Sequence, residues 1–141
     1  MALDTARLRW PGLVSIVLAI DAALSLGFGF ASFISPHSTY ATIVDLRAVP
    51  DDSLVMSILG GLSVFYVAIG AVCLLAAFMP SPHDLRVAAV MMLQHAWIGL
   101  RGASHMNREW IVGDPWPDLI IHSLFVIAYS TGVVRELRRP R

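Results

Sequence analysis

The chain has 141 residues, 57% of them hydrophobic and 14% charged, and its ten basic residues are balanced by ten acidic ones. A soluble domain is about a quarter charged, so this composition suits lipid rather than water, and zero net charge removes the electrostatic case for nucleic acid. The single cysteine, Cys73, excludes a disulfide framework and a CxxC redox pair within the chain.

Four stretches are apolar enough and long enough to cross a hydrocarbon core, which takes roughly 20 residues. The first runs over about 12–34 and stops before Ser35-Pro36. The second, about 53–79, follows Asp51 and Asp52, which suit N-caps, and ends at Pro80-Ser81-Pro82. The third covers about 84–104 and the fourth about 116–134. The expected fold is an all-α transmembrane four-helix bundle, one membrane domain over residues 1–141. The first apolar run is too long for a cleavable signal peptide and shows no small-residue cleavage site. The outer segment "SPHSTYATIVDLRAVPDD" reads as a connector, with a short interfacial helix over Tyr40–Arg47 as the alternative.

All basic residues are arginine, and their placement sets an orientation. Arg7, Arg9, Arg86, Arg135, Arg138, Arg139 and Arg141 flank one side of the four spans, against Arg47 and Arg108 on the other. The positive-inside rule then puts both termini in the cytoplasm, in an inner (plasma) membrane. The opposite loops are acidic, with Asp45, Asp51, Asp52, Glu109 and Asp114. Trp110 and Trp116 suit the outer interface and Trp10 the inner one.

Small residues recur at intervals of four: Ala23, Gly27 and Ala31 on the first span, Ser53, Ser57 and Gly61 on the second. That spacing lets helices approach closely in lipid, which predicts these two faces as helix contacts.

The third span is the unusual one, because "QHAWIGLRGASH" places Gln94, His95, Arg101 and His105 in a membrane helix. Ionisable groups at such depth face the bundle interior and find partners. Gln94, Arg101 and His105 fall within about 40° of one another on a helix and form one stripe, with His95 about 100° away. Spans one and three run in the same direction, so Asp21 lies near the level of Gln94 and His95 and can accept from either. Span four runs the other way, which puts His122 level with Arg101. Asp118 lies one turn before His122 and Tyr129 two turns after it, so Asp118 either orients the imidazole or pairs with Arg101. Span two adds Ser57, Ser63 and Tyr66. The expected site is a polar seam of Asp21, Gln94, His95, Arg101, His105, Asp118, His122 and Tyr129, lining a pocket that opens outward.

No two of His95, His105 and His122 have the i, i+4 spacing of a helical zinc pair, and Arg101 among them opposes a cation, so no metal site is expected. No motif identifies a cofactor. An arginine with histidines and a tyrosine suits a lipid or quinone-like head group entering from the outer leaflet. Three readings follow. The chain is a ligand-binding protein or accessory subunit of a larger membrane complex; or a membrane enzyme acting on a lipid-soluble or quinone-like substrate; or, as a homo-oligomer, a proton or ion transporter. The first is preferred, because the sequence shows no nucleophile beside a base and no phosphate loop. The seam also admits a purely structural role, as buried polar pairs that fix helix packing.

The proline-terminated first span "FASFISP", the glycine-rich second span "SILGGLSVFYVAIGAVCLLAAF" and the polar end "GLRGASH" of the third give the chain a layout that resembles the DoxX-like and related small four-helix bacterial membrane proteins. The resemblance covers most of the chain as pattern. It implies a four-helix bundle with both ends cytoplasmic and service to a redox or stress-related membrane system. It carries no functional residue and no reaction.

Overall fold

A computed structural model describes residues 12–41, 45, 52–79, 83–105 and 116–138. Five helices occur in it: α1 (Leu13–Ile34), α2 (Pro36–Tyr40), α3 (Asp52–Ala77), α4 (His83–His105) and α5 (Trp116–Leu137). The four long ones match the four expected spans to within a few residues. Proline does the punctuation: Pro36 breaks away from α1 and occupies the first turn of α2, where its missing N–H costs nothing. The short helix therefore precedes the expected Tyr40–Arg47 segment, of which only Tyr40, Ala41 and Asp45 are described. The side chains of Asp51 and Asp52, together with Trp10 and Trp110, lie outside the described residues.

Three of these helices, α1, α3 from Ser53 onward and α5, are long and apolar enough to cross a membrane, which makes this a multi-pass membrane protein. At 23 residues α4 is also long enough, about 34 Å. It is not among the three because Asp84, Arg86, Gln94, His95 and Arg101 dilute its apolar content. Large apolar side chains cover the outside, including Phe33, Ile34, Phe78, Trp97 and Leu100. In water such a surface would aggregate; against acyl chains it is the expected exterior.

The helices run alternately up and down. α1 packs mainly on α3, and α4 mainly on α5. The core joining the two pairs holds Val14, Val17, Leu18 and Ala22 of α1, Cys73 and Ala76 of α3, Ala88 and Met91 of α4, and Tyr129 of α5. Close approach depends on glycines other than those the fourfold spacing suggested. A Cβ on Gly29 would stand 2.8 Å from Val67 Cγ2 and 2.9 Å from its backbone nitrogen, and one on Gly70 would stand 2.9 Å from Leu26 N. A Cβ on Gly132 would stand 2.9 Å from Val14 Cγ2, with the Val14 backbone nitrogen farther off at 3.5 Å. The expected contact faces instead point outward: Ala23, Gly27, Ala31, Ser53, Ser57 and Gly61 are all exposed, and a Cβ on Gly27 or Gly61 would meet nothing within 4 Å. Both stripes have small residues; which one packs was decided by the contour of the partner helix.

Candidate functional site

The buried face of α4 is Asp84, Ala88, Met91, His95 and Gly99, a run spaced four, three, four and four. Asp84 sits in the first turn, where its Oδ1 accepts from the Leu85 amide at 2.8 Å and complements the helix dipole. One turn after His95, Gly99 leaves room for α5: a Cβ there would lie 3.5 Å from His122 Cβ. At this level α4 and α5 run close enough for the two histidines to meet.

They form the centre of a hydrogen-bonded chain that passes through three helices. Asp118 Oδ1 lies 3.3 Å from His122 Nε2, one turn along α5. His122 Nδ1 lies 2.7 Å from His95 Nδ1 on α4. His95 Nε2 lies 2.9 Å from Asp21 Oδ2 on α1. The same Oδ2 accepts from the Tyr129 hydroxyl of α5 at 2.7 Å, and Ser25 Oγ donates to Oδ1 at 3.4 Å. Burial grades along the chain. The Asp118 side chain is 60% exposed, that of His122 14%, that of His95 7% and that of Asp21 3%; Tyr129 is fully buried. From Asp118 to Tyr129 is eleven residues of α5, about 16 Å along the axis. The chain therefore leads from the Trp116 end of the bundle into its middle. Phe125 lies flat on His95, ring centroids 4.4 Å apart and planes within 5°.

Beyond Asp21, towards the other end, the apolar side chains of Val14, Val17, Leu18 and Met91 separate it from the next buried charged group, Asp84 in the first turn of α4. Asp21 is thus a terminus and not a waypoint. A carboxylate at such depth is tolerated because it is multiply bonded.

Of the expected seam, Asp21, His95, His122, Asp118 and Tyr129 come together. Asp21 takes His95 and not Gln94, and Asp118 orients His122. The stripe of Gln94, Arg101 and His105 is not the packing face: Gln94 is half-buried beside it and Arg101 is exposed. Near the end of α4 a long arginine reaches polar surroundings from the outside, so no interior place had to be found for it. His105 closes α4, and its side chain lies outside the described residues. His122 is level with His95 and Gly99, deeper than Arg101. Of the span-two polar groups, Ser63 bonds back to Leu59 O at 3.0 Å and Tyr66 packs edge-on against Phe28, so neither enters the chain. Ser57 is exposed. Sequence reading missed Phe125 and Ser25. Phe125 was findable, being three residues after His122 and four before Tyr129.

The polar groups of the chain bond to one another. A groove of about 280 Å³ between α1 and α5 is walled by Val17, Ile20, Leu24, Ile121, Leu124, Phe125 and Ala128, all apolar. The Nδ1–Nδ1 distance also discriminates. Two imidazole nitrogens on one tetrahedral zinc, each about 2.0–2.1 Å from it, stand roughly 3.3 Å apart. The observed 2.7 Å is a hydrogen-bond distance. Among the described residues no group of three His, Cys, Asp or Glu side chains is arranged to hold a metal ion.

Replacing Tyr129 by Phe tests whether its hydroxyl holds the carboxylate. The ring still fills its buried site, so the change removes one bond to a charged group, which contributes about 1.5–3 kcal/mol. Denaturant unfolding in detergent should show a loss in that range; a loss under about 0.5 kcal/mol, the scale of an ordinary surface substitution, would mean the bond is idle.

Comparison with protein-family models, with curated proteins and with solved structures returns no match.

Proposed function

We propose that this is a four-span inner-membrane protein, both termini cytoplasmic, that acts as an accessory subunit of a larger membrane complex and conducts protons from the outer face to Asp21 in mid-bundle. The observation that carries the reading is the unbroken chain Asp118–His122–His95–Asp21–Tyr129, exposed at one end and buried at the other. Histidine exchanges protons near neutral pH, and every neighbouring pair is at hydrogen-bond distance. Of the groups that suit a lipid or quinone-like ligand, His95, His122 and Tyr129 are already bonded to one another or to Asp21, which favours a proton over a molecule as the cargo. The apolar stretch between Asp21 and Asp84 favours delivery to a partner over passage through the chain alone.

Span number and orientation rest on α4 and on the arginines. α4 bonds to both α1 and α5 through His95, so it shares their depth. Arg86 in its first turn and Arg135 and Arg138 at the end of α5 gather at one end of the bundle, and Trp116 opens α5 at the other. A C-terminal reporter should therefore be active only in the cytoplasm; periplasmic activity would reverse the bundle and turn Asp118 inward. The DoxX-like layout fits such service to a redox or stress-related membrane system.

Native purification with a partner complex, followed by its assay, tests the function. His122→Phe breaks the chain, and the partner's proton-dependent activity should fall about a hundredfold, the range in which a positioned proton-transfer group contributes. Unchanged activity would sink the reading. Liposomes holding the protein alone should pass no proton current above protein-free vesicles; a steady current would replace the accessory role with that of a transporter.

A further inference from the structure

The chain from Asp118 to Asp21 has three contacts, and its hydrogens can be counted. Asp118–His122, His122–His95 and His95–Asp21 each need one proton between their heavy atoms. Two carboxylates and two neutral imidazoles supply only two. In that state one contact sets acceptor against acceptor: at either inner contact buried polar groups do not tolerate this, and at the exposed Asp118–His122 contact the carboxylate turns to water and the chain opens at its outer end.

We propose that the His95–His122 pair binds one further proton, held between the two carboxylates and exchanged between the rings across the 2.7 Å Nδ1–Nδ1 contact. The proposal rests on the proton-conducting reading and says where the proton resides. With both carboxylates ionised, two forms satisfy all three contacts. In one, His122 is the imidazolium: its Nε2–H donates to Asp118 and its Nδ1–H to His95, while neutral His95 donates through Nε2–H to Asp21. In the other, His95 is the imidazolium and donates from both nitrogens, while neutral His122 donates through Nε2–H to Asp118. They differ in a single hydrogen. One Nδ1–H bond breaks as the other forms, nothing else moves, and the positive charge passes from α5 to α4.

The groups around the pair favour the inner form. Asp21, from α1, is almost wholly removed from solvent, whereas Asp118, on α5, is largely hydrated, so the attraction of Asp21 for a cation is less screened. Phe125 covers the His95 ring and offers its π face to an imidazolium. Among the described residues, the other titratable groups near the chain are Tyr129 on α5, which donates to Asp21, Cys73 on α3, buried in the same core, and Tyr66 on α3 near the outer end. Arg101 lies on the exposed side of α4. None places a second positive charge between the rings. The outer contact is the longest and the most exposed, so water can take its place when the proton leaves. Asp118 is then the port through which the pair is loaded and emptied.

Solid-state NMR of the full chain in lipid bilayers, labelled with ¹⁵N-histidine, tests this directly. At mildly acidic pH both Nε2 atoms should be protonated, with a through-hydrogen-bond coupling between the two Nδ1 nuclei. Raising the pH should remove one proton in a step seen at both rings together. Asp118→Asn is the discriminating variant, because its amide donates to His122 Nε2 and closes the chain without the extra proton. His122 Nε2 should then be unprotonated at the same pH, while the Nδ1–Nδ1 coupling persists. A wild-type spectrum with no such coupling, or with one Nε2 already bare at mildly acidic pH, would overturn the proposal. So would Asp118→Asn behaving as wild type. The shared proton and the delivery role fail separately: the coupling can be present while His122→Phe leaves the partner's activity intact, and the reverse.

Discussion

Asp21→Ala should be among the most damaging single changes in this protein, with a loss of about 3 kcal/mol, whereas Asp21→Asn should retain most of the stability. One carboxylate oxygen accepts from His95 on α4 and from Tyr129 on α5 while sitting on α1, so it ties three helices together. Single interhelical hydrogen bonds in membrane proteins contribute modestly, averaging about 0.6 kcal/mol. Three features raise the figure here. The acceptor is charged, it serves two donors at once, and both donors are left unpaired in a dry core when it goes; breaking a buried charged pair from one side costs about 3–5 kcal/mol in soluble proteins. Asparagine keeps an acceptor in place and removes the charge. Denaturant unfolding in mild detergent reads the difference. If alanine and asparagine cost the same, the charge and not the bonding geometry holds the core. If neither costs more than about 1 kcal/mol, the chain contributes no more than one average interhelical bond and the helices are held by packing alone.

Gly70→Ala should separate α1 from α3, at a cost of about 1–3 kcal/mol, the usual penalty for overpacking a tight core. The added methyl group would meet Leu26 N at 2.9 Å. A side chain can rotate away from such a clash, but a backbone nitrogen moves only with its helix. Gly29→Ala meets Val67 N at 2.9 Å and should behave alike. The controls are Gly27→Ala and Gly61→Ala on the open faces, where a methyl meets nothing. Those should be neutral to within about 0.5 kcal/mol. If Gly27→Ala proves as harmful as Gly70→Ala in bilayers and harmless in dilute detergent, the outer stripe contacts another copy or a partner. If Gly70→Ala is neutral in both, α1 and α3 do not approach as closely as described.

The candidate site was partly legible beforehand. Asp21, His95 and His122 stood out because charged and titratable groups in apolar helices must find partners. Levels followed from counting residues, since a helix rises by a fixed amount per residue. Faces did not follow. Gln94, Arg101 and His105 align as well around the axis as Ala88, Met91, His95 and Gly99 do, and periodicity alone does not say which row packs. The structure turned Ala88, Met91, His95 and Gly99 towards the neighbouring helices and left Gln94 half-buried and Arg101 exposed. Arg101 misled for a physical reason: close to the end of a helix a long side chain can reach polar surroundings, so it was never forced inward. The same ambiguity affected the small residues. Ala23, Gly27 and Ala31 repeat as regularly as a contact face should, yet the contact runs through Gly29.

Sequence by itself determined the solvent, the number of long helices and their ends. Those depend on quantities summed along the chain: apolar length and proline stops. Tertiary structure decided which groups touch. That depends on the rotation of each helix about its own axis, which is settled by the fit of one surface into another and leaves no mark in a single helix. A turn of about 100° separates the face of Gln94, Arg101 and His105 from the face of His95, on which the hydrogen-bonded chain is built.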